Sequence, residues 1–207
     1  MTTTAIYIHT YRQDPALVLA ACVKHLPGIQ VFLMSDGDEV TYSHQPFIPF
    51  HQRLKPQPNG GAWVKRWFEV ALRHGTDVAI KLDPDSKVHR PFRKPFPDAP
   101  LFGPLMDSVA IGRFIHGGAM CVRRSFMERA LPLLDNPKYR GPAFTMKDGT
   151  ASSDLIVADL AASLVVPLTP WEEVTYFPMP WEATRYAVSH GRWHKEPSLP
   201  GSRQTVR

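Results

Sequence analysis

The 207-residue sequence predicts an α/β fold, one domain with a mixed central sheet and helices on both faces. Three observations predict it. Short apolar runs rich in β-branched residues alternate with stretches of helical periodicity, the pattern of βαβ units. Polar residues gather just after the strand runs, where open α/β sheets bind ligands. The composition, 43% hydrophobic and 21% charged, is that of a globular chain long enough to bury a sizeable core.

Residues 4–10 alternate and are β-rich, a first strand. Asp14-Pro15 then offers a helix N-cap and a pre-set first helical residue. The apolar stretch 16–26 reads as a helix stopped by Pro27-Gly28. Residues 30–34, QVFLM, are a second strand running into Ser35-Asp36-Gly37-Asp38. The stretch 39–61 is irregular and contains Pro. In 62–74, Val64, Trp67, Phe68, Ala71 and Leu72 share one helical face, with Lys65, Arg66, Glu69 and Arg73 mostly off it. Gly75 ends this helix. The run 77–82, DVAIKL, is a buried-type strand that delivers Asp83-Pro84-Asp85 at its C-terminal edge.

Beyond residue 100 the pattern loosens. Residues 109–115 and 119–122 read as strands flanking His116-Gly117-Gly118. Ser125-Phe126-Met127-Glu128 fits a capping box opening a short helix that Pro132 ends. A loop rich in Pro, Gly and Lys leads to Ser152-Ser153-Asp154, which opens an apolar helix reaching about residue 165. A segment over 171–177 and a tail with Trp181, His190, Trp193 and His194 complete the chain.

Composition narrows the function classes. The 21 prolines are spread through the chain and imply many turns, not a disordered tract. No apolar run approaches the roughly 20 residues of a membrane-spanning helix, which leaves only peripheral membrane contact open. The start MTTTAIYIHT lacks a basic stretch followed by an apolar one, so no secretory signal is expected. Cys22, in a predicted helix, and Cys121, in a predicted strand, read as packed, reduced thiols of a cytoplasmic protein. The net charge of +5 attracts polyanions, nucleotide diphosphates among them. No basic run interleaved with aromatics marks a nucleic-acid partner.

Asp83 and Asp85 stand two residues apart after a strand, so both carboxylates can turn toward one cation. Mg²⁺ and Mn²⁺ take hard oxygen ligands and keep substrate phosphate oxygens and water in their shell. Asp-Pro-Asp is also ordinary turn chemistry, and both readings stand at this point.

The stretch 78–88, VAIKLDPDSKV, resembles the DxD strand of GT-A fold glycosyltransferases, and among them the inverting, galactosyltransferase-like enzymes whose strand commonly reads Lys-x-Asp-x-Asp. In that family a Gly-rich loop follows, then an acidic residue opening a helix, then a late His completing the metal shell. Gly117-Gly118, Asp154 and His190, with His194 as alternative, match these in order over about residues 4–195. The family's acidic pair at the helix start is usually Glu-Asp; here it is Ser153-Asp154.

The resemblance implies a Rossmann-like GT-A domain spanning 1–207. Residues 1–100 would be the nucleotide-binding half ending in the DxD, and 101–207 the acceptor half and tail. It implies a metal-dependent, inverting hexosyltransferase moving a sugar from a nucleotide-sugar donor, expected to be UDP-linked, to a hydroxyl of a saccharide or other acceptor. Asp83, Asp85 and His190 would hold Mn²⁺ or Mg²⁺, and Asp154 would be the general base, with Asp148 in reserve. Thr10, Tyr11, Arg12, Asp36 and Lys65 are the nucleotide-binding candidates. Gly117, Gly118 and Trp181 are candidates for contact with donor or acceptor sugar.

Each role has a plainer counterpart. Asp154 can be a helix cap, Gly117-Gly118 a hairpin turn, Lys65 a solvated helix residue, and the tail tryptophans mere anchors. Two rival functions stay open. A sugar-phosphate nucleotidyltransferase should carry a glycine-rich phosphate loop after the first strand, where this chain reads Thr10-Tyr11-Arg12-Gln13-Asp14. A non-catalytic glycan- or nucleic-acid-binding module would use the aspartates only as a turn.

Overall fold

The computed structural model describes residues 2–10, 14–35, 47–48, 60–108, 112–140, 144, 152–176, 178 and 182–190. The first half contains β1 (Thr4–Thr10), α1 (Ala16–His25), β2 (Gln30–Ser35), β3 (Phe47–Ile48), α2 (Gly60–Arg73), β4 (Val78–Leu82) and β5 (Lys87–Val88). Next come β6 (Leu101–Gly103), β7 (Leu105–Ser108), β8 (Gly112–Ile115), β9 (Ala119–Arg123) and α3 (Arg124–Ala130). Then follow α4 (Ser153–Ser163), β10 (Leu168–Pro170), β11 (Val174–Tyr176) and β12 (Val188–His190).

Seven strands make the main sheet in the order β10-β6-β9-β4-β1-β2-β3. β4, β1, β2 and β3 run parallel, as do β10 and β6, while β9 runs antiparallel to both β4 and β6. The sheet is therefore mixed, and the class is α/β as expected. β11, β12 and β5 form a small second sheet, and β7 pairs with β8 alone.

Alternate residues of the central strands feed two cores, because strand side chains point to opposite faces. Tyr7, Phe32, Ala79, Met120 and Val122 pack with α2, α3 and α4. Ile6, Ile8, Ile80, Leu82 and Cys121 pack with Val18 and Cys22 of α1, with Leu26 just after it, with Trp171, and with Val174 and Val188 of the small sheet. Helices thus cover both faces. The α2 stripe buries Trp63, Val64, Trp67, Phe68, Val70 and Ala71, with Trp63 and Trp67 ring centroids 5.7 Å apart. Cys22 and Cys121 are both free and buried, and burial pushes the Cys22 thiol up to about 12.

Two local expectations are corrected. Pro15, not Asp14, occupies the N-cap position of α1; Asp14 stands one residue earlier, and its carboxylate accepts the Ala16 N–H at 2.9 Å. Ser125 caps nothing, because β9 runs straight into α3 with Arg123 at the N-cap and Ser125 already inside the helix.

Register explains how distant segments meet. The β4–β9 pairing sets Leu82 opposite Ala119, so the residues just before β9 stand beside those just after β4. The β5–β12 pairing sets Lys87 opposite Ser189, which carries His190 alongside Ser86 and Asp85.

Candidate metal centre

Asp83 and Asp85 leave β4 on a turn fixed by Pro84, and His190 ends β12. One ligand atom from each lies within 4.8 Å of the other two. His190 Nε2 is 2.8 Å from Asp85 Oδ1 and 3.6 Å from Asp83 Oδ2. Two carboxylates and an imidazole with ligand atoms this close together are a candidate donor set for a divalent cation. His190 Nδ1 is buried and finds no hydrogen-bond partner among the described residues.

The ionisation of the cluster follows from its packing. Burial alone would raise Asp83, but the Lys81 ammonium, His190 and a hydrogen bond from Lys81 outweigh it and hold the carboxyl well below its usual range. Asp85 is also held low, chiefly by its hydrogen bond with His190. His190 is raised: burial opposes the charge, but the Asp85 hydrogen bond and both aspartates prevail.

Lys81 is the residue that sequence reasoning passed over. Its side chain is only 2% exposed, and its ammonium donates to Asp83 Oδ1 at 2.5 Å and to the Gly117 carbonyl at 2.8 Å. The Trp63 ring centroid is 5.8 Å away. A lysine inside the strand VAIKL, buried at all five positions, was the available signal, since a buried lysine needs a partner.

The glycine pair serves close approach. A Cβ on Gly118 would lie 2.4 Å from His190 Cγ, and one on Gly117 would lie 2.3 Å from Asp154 Oδ1 and 2.7 Å from Lys81 Nζ. Neither glycine has positive φ, so space and not backbone freedom excludes larger residues here. The pair does not close a hairpin, because β8 pairs with β7 whereas β9 pairs with β4 and β6. Ser86 Oγ ties the turn down, donating to the Gly118 carbonyl at 2.7 Å and accepting the Asp83 N–H at 3.2 Å.

Asp154 is not the cap of α4. Ser152 is, accepting the Leu155 N–H at 3.3 Å. That leaves the Asp154 carboxylate to accept the Gly117 N–H at 2.9 Å, across 37 residues of sequence, and the Ser153 hydroxyl at 3.1 Å.

His116 completes the neighbourhood. Its Nδ1 accepts the Gly118 N–H at 3.0 Å, so in the neutral ring the proton sits on Nε2. Burial, helped by His190 and Lys81, lowers its pKa against the pull of Asp154 and Asp83. Its ring stacks on Tyr176 at 3.6 Å and lies 4.9 Å from His190.

The structure therefore gathers Asp83, Asp85, His190, Gly117, Gly118 and Asp154 at one sheet edge. Thr10 is buried at the end of β1, on the same edge. Lys65 stands apart from this set and pairs with Asp135. Tyr11, Arg12, Asp36, Asp148, Trp181, Trp193 and His194 lie outside the described residues. No described helix is long and apolar enough to cross a membrane. Neither protein-family models nor curated proteins give a match to the chain.

Proposed function

We propose that this protein is a metal-dependent glycosyltransferase of GT-A type, using a nucleotide-sugar donor and a hydroxyl acceptor. The observation that carries the reading is the convergence just described. The Asp-Pro-Asp turn, the glycine pair, the helix-start aspartate and the late histidine are far apart in sequence, His190 lying 105 residues beyond Asp85, yet stand together at the C-terminal edge of β4. A mere surface turn would need none of these partners.

In this reading Asp83, Asp85 and His190 hold Mn²⁺ or Mg²⁺, through hard oxygens and one imidazole. Bound there, the ion supplies Lewis-acid stabilisation of the negative charge on a departing nucleoside diphosphate, UDP by expectation. Lys81 keeps Asp83 ionised and its Oδ1 engaged, which leaves Oδ2 on the His190 side for ligation. Asp154, fixed by the Gly117 N–H and the Ser153 hydroxyl, takes the acceptor's hydroxyl proton as that oxygen attacks the anomeric carbon, with inversion. The absence of glycine from Thr10 to Asp14 favours this over nucleotidyl transfer. Two buried free thiols favour a cytoplasmic setting.

The test is a thermal-shift series with UDP, GDP and CMP, each with and without Mn²⁺. Nucleotide and metal together should stabilise the protein. At a hundredfold excess over Kd the gain is about 2.7 kcal/mol, a shift of about 5–11 °C for a chain of this size. Asp85→Asn should abolish the joint effect. A nucleotide shift that needs no metal, or one that Asp85→Asn leaves intact, refutes the reading.

A further inference from the structure

His190 reaches the two aspartates on a strand that the main sheet does not hold. β12 is the middle strand of the small sheet, between β11 and β5, and among the described residues no ladder joins that sheet to the seven-stranded one. The ladders of β12 are short, three register pairs with β11 and two with β5. Burial of Val88, Val174 and Val188 opposes a slip of one residue, which would turn them to solvent. It does not oppose a slip of two residues, which keeps every face and carries His190 about 7 Å along the strand. The position of the imidazole therefore needs a further constraint.

One guanidinium touches the approach to all three strands. Arg90 stands two residues after β5. Its Nη1 donates to Glu173 Oε2, just before β11, at 2.7 Å and to the Pro91 carbonyl at 2.9 Å. Its Nη2 donates to the Arg185 carbonyl, on the segment leading into β12, at 2.6 Å. Glu173 Oε2 also accepts the Arg93 N–H at 3.1 Å. The Glu173 carbonyl in turn accepts the N–H groups of Ala187 at 2.7 Å and Val188 at 3.2 Å, where β12 begins. Both side chains are buried, Glu173 at 2% exposure and Arg90 at 15%. A buried ion pair adds little net stability over an apolar pair of the same size, and its best-attested use is to fix register. The fork of the guanidinium suits that use, since one planar group holds two acceptors at a set spacing.

We propose that Arg90 is a positioning residue for the third metal ligand: paired with Glu173, it fixes the register of β12 and so sets the His190 imidazole against Asp83 and Asp85. This role rests on Asp83, Asp85 and His190 holding a metal, and not on the reaction proposed for that metal.

Pulsed electron paramagnetic resonance on the full chain with Mn²⁺ alone tests it, because an imidazole nitrogen on the ion leaves a nitrogen modulation that carboxylates do not give. Wild type should show the modulation, and His190→Ala should lose it. Arg90→Met should lose it as well, and its Mn²⁺ Kd should rise about tenfold while the two carboxylates still hold the ion. Because Arg90→Met strands the Glu173 charge and lowers stability, the double variant Arg90→Met/Glu173→Met is measured beside it; it leaves an apolar pair and no buried charge, so the chain folds. With no donor for the Arg185 carbonyl and no acceptor for the Arg93 N–H, it too should lose the modulation. Arg124→Met breaks another arginine–aspartate pair, with Asp77 just before β4, and should keep both the modulation and the wild-type Kd. Modulation at wild-type strength in both Arg90 variants, or its loss from Arg124→Met as well, overturns the positioning role while the metal site stands. Its absence from wild type removes His190 from the ligand set and this role with it.

Discussion

Replacing Lys81 by Met is the sharpest probe of how the site is held together. Met keeps most of the stem volume and deletes the cation, so the Trp63 contact surface largely survives. What disappears is the 2.5 Å charge-assisted bond to Asp83 and the bond to the Gly117 carbonyl. Breaking a buried ion pair from one side costs about 3–5 kcal/mol, because the partner is left charged and uncompensated. Here the pair is not fully dry: the Asp83 side chain is 26% exposed, and His190 faces its other oxygen. Water and His190 recover part of the loss, so about 2–3 kcal/mol is expected. For a chain of this size that lowers Tm by about 4–12 °C. Calorimetry of the wild type, Lys81→Met, Asp83→Asn and the double variant gives the coupling directly. The double variant should be more stable than Lys81→Met alone, since the stranded charge is gone. A Lys81→Met protein within about 0.5 kcal/mol of wild type, a change typical of surface sites, would refute the claim that this lysine is a structural counter-charge.

Three further outcomes follow from particular contacts. Gly118→Ala puts a Cβ 2.4 Å from His190 Cγ, so the imidazole must move, and Mn²⁺ affinity measured by electron paramagnetic resonance titration should fall about 10–100-fold; unchanged affinity would remove His190 from the ligand set. Val165, 90% exposed at φ 54°, ends α4 in the left-handed region that β-branched residues avoid. Val165→Gly should therefore raise stability by about 1 kcal/mol in a denaturant melt, and a loss would show that the strain estimate is wrong. Glu173 is 2% exposed; burial pushes its carboxyl up, but the Arg90 guanidinium at 2.7 Å and the Arg93 N–H hold it below the usual value of 4.5. Its folded pKa is depressed, so its stabilisation is present above pH 4.5 and lost as pH falls through the folded value. Glu173→Gln should flatten that acid limb of the stability curve, and an unchanged limb would assign it to other carboxylates.

Much of the fold was legible because local rules and tertiary packing agree. The β-rich run of β1 and the apolar β4, both buried on the two faces of the sheet, and the one-sided stripe of α2 each need burial that the sequence pattern already marks. Asp83 and Asp85 were legible for the same reason, since a strand that must be buried delivers them to a fixed edge. Ser125 misled because a serine three residues before a glutamate resembles a cap, whereas the extended backbone of Arg123 lets the strand pass into the helix two residues earlier. Lys81 was missed because composition treats lysine as a surface residue, and only its carboxylate and carbonyl partners make burial tolerable.

What the sequence by itself determined is the set of locally coded elements and the identity of the acidic turn. What only the tertiary structure decided is which distant groups meet there. The antiparallel β4–β9 pairing brings Gly117 and Gly118 against the turn, the β5–β12 pairing brings in His190 from 105 residues away, and the Gly117 N–H draws Asp154 off its own helix end. Strand order and register arise from closing long loops around two shared cores, a balance of chain entropy and buried area that no short window of residues contains.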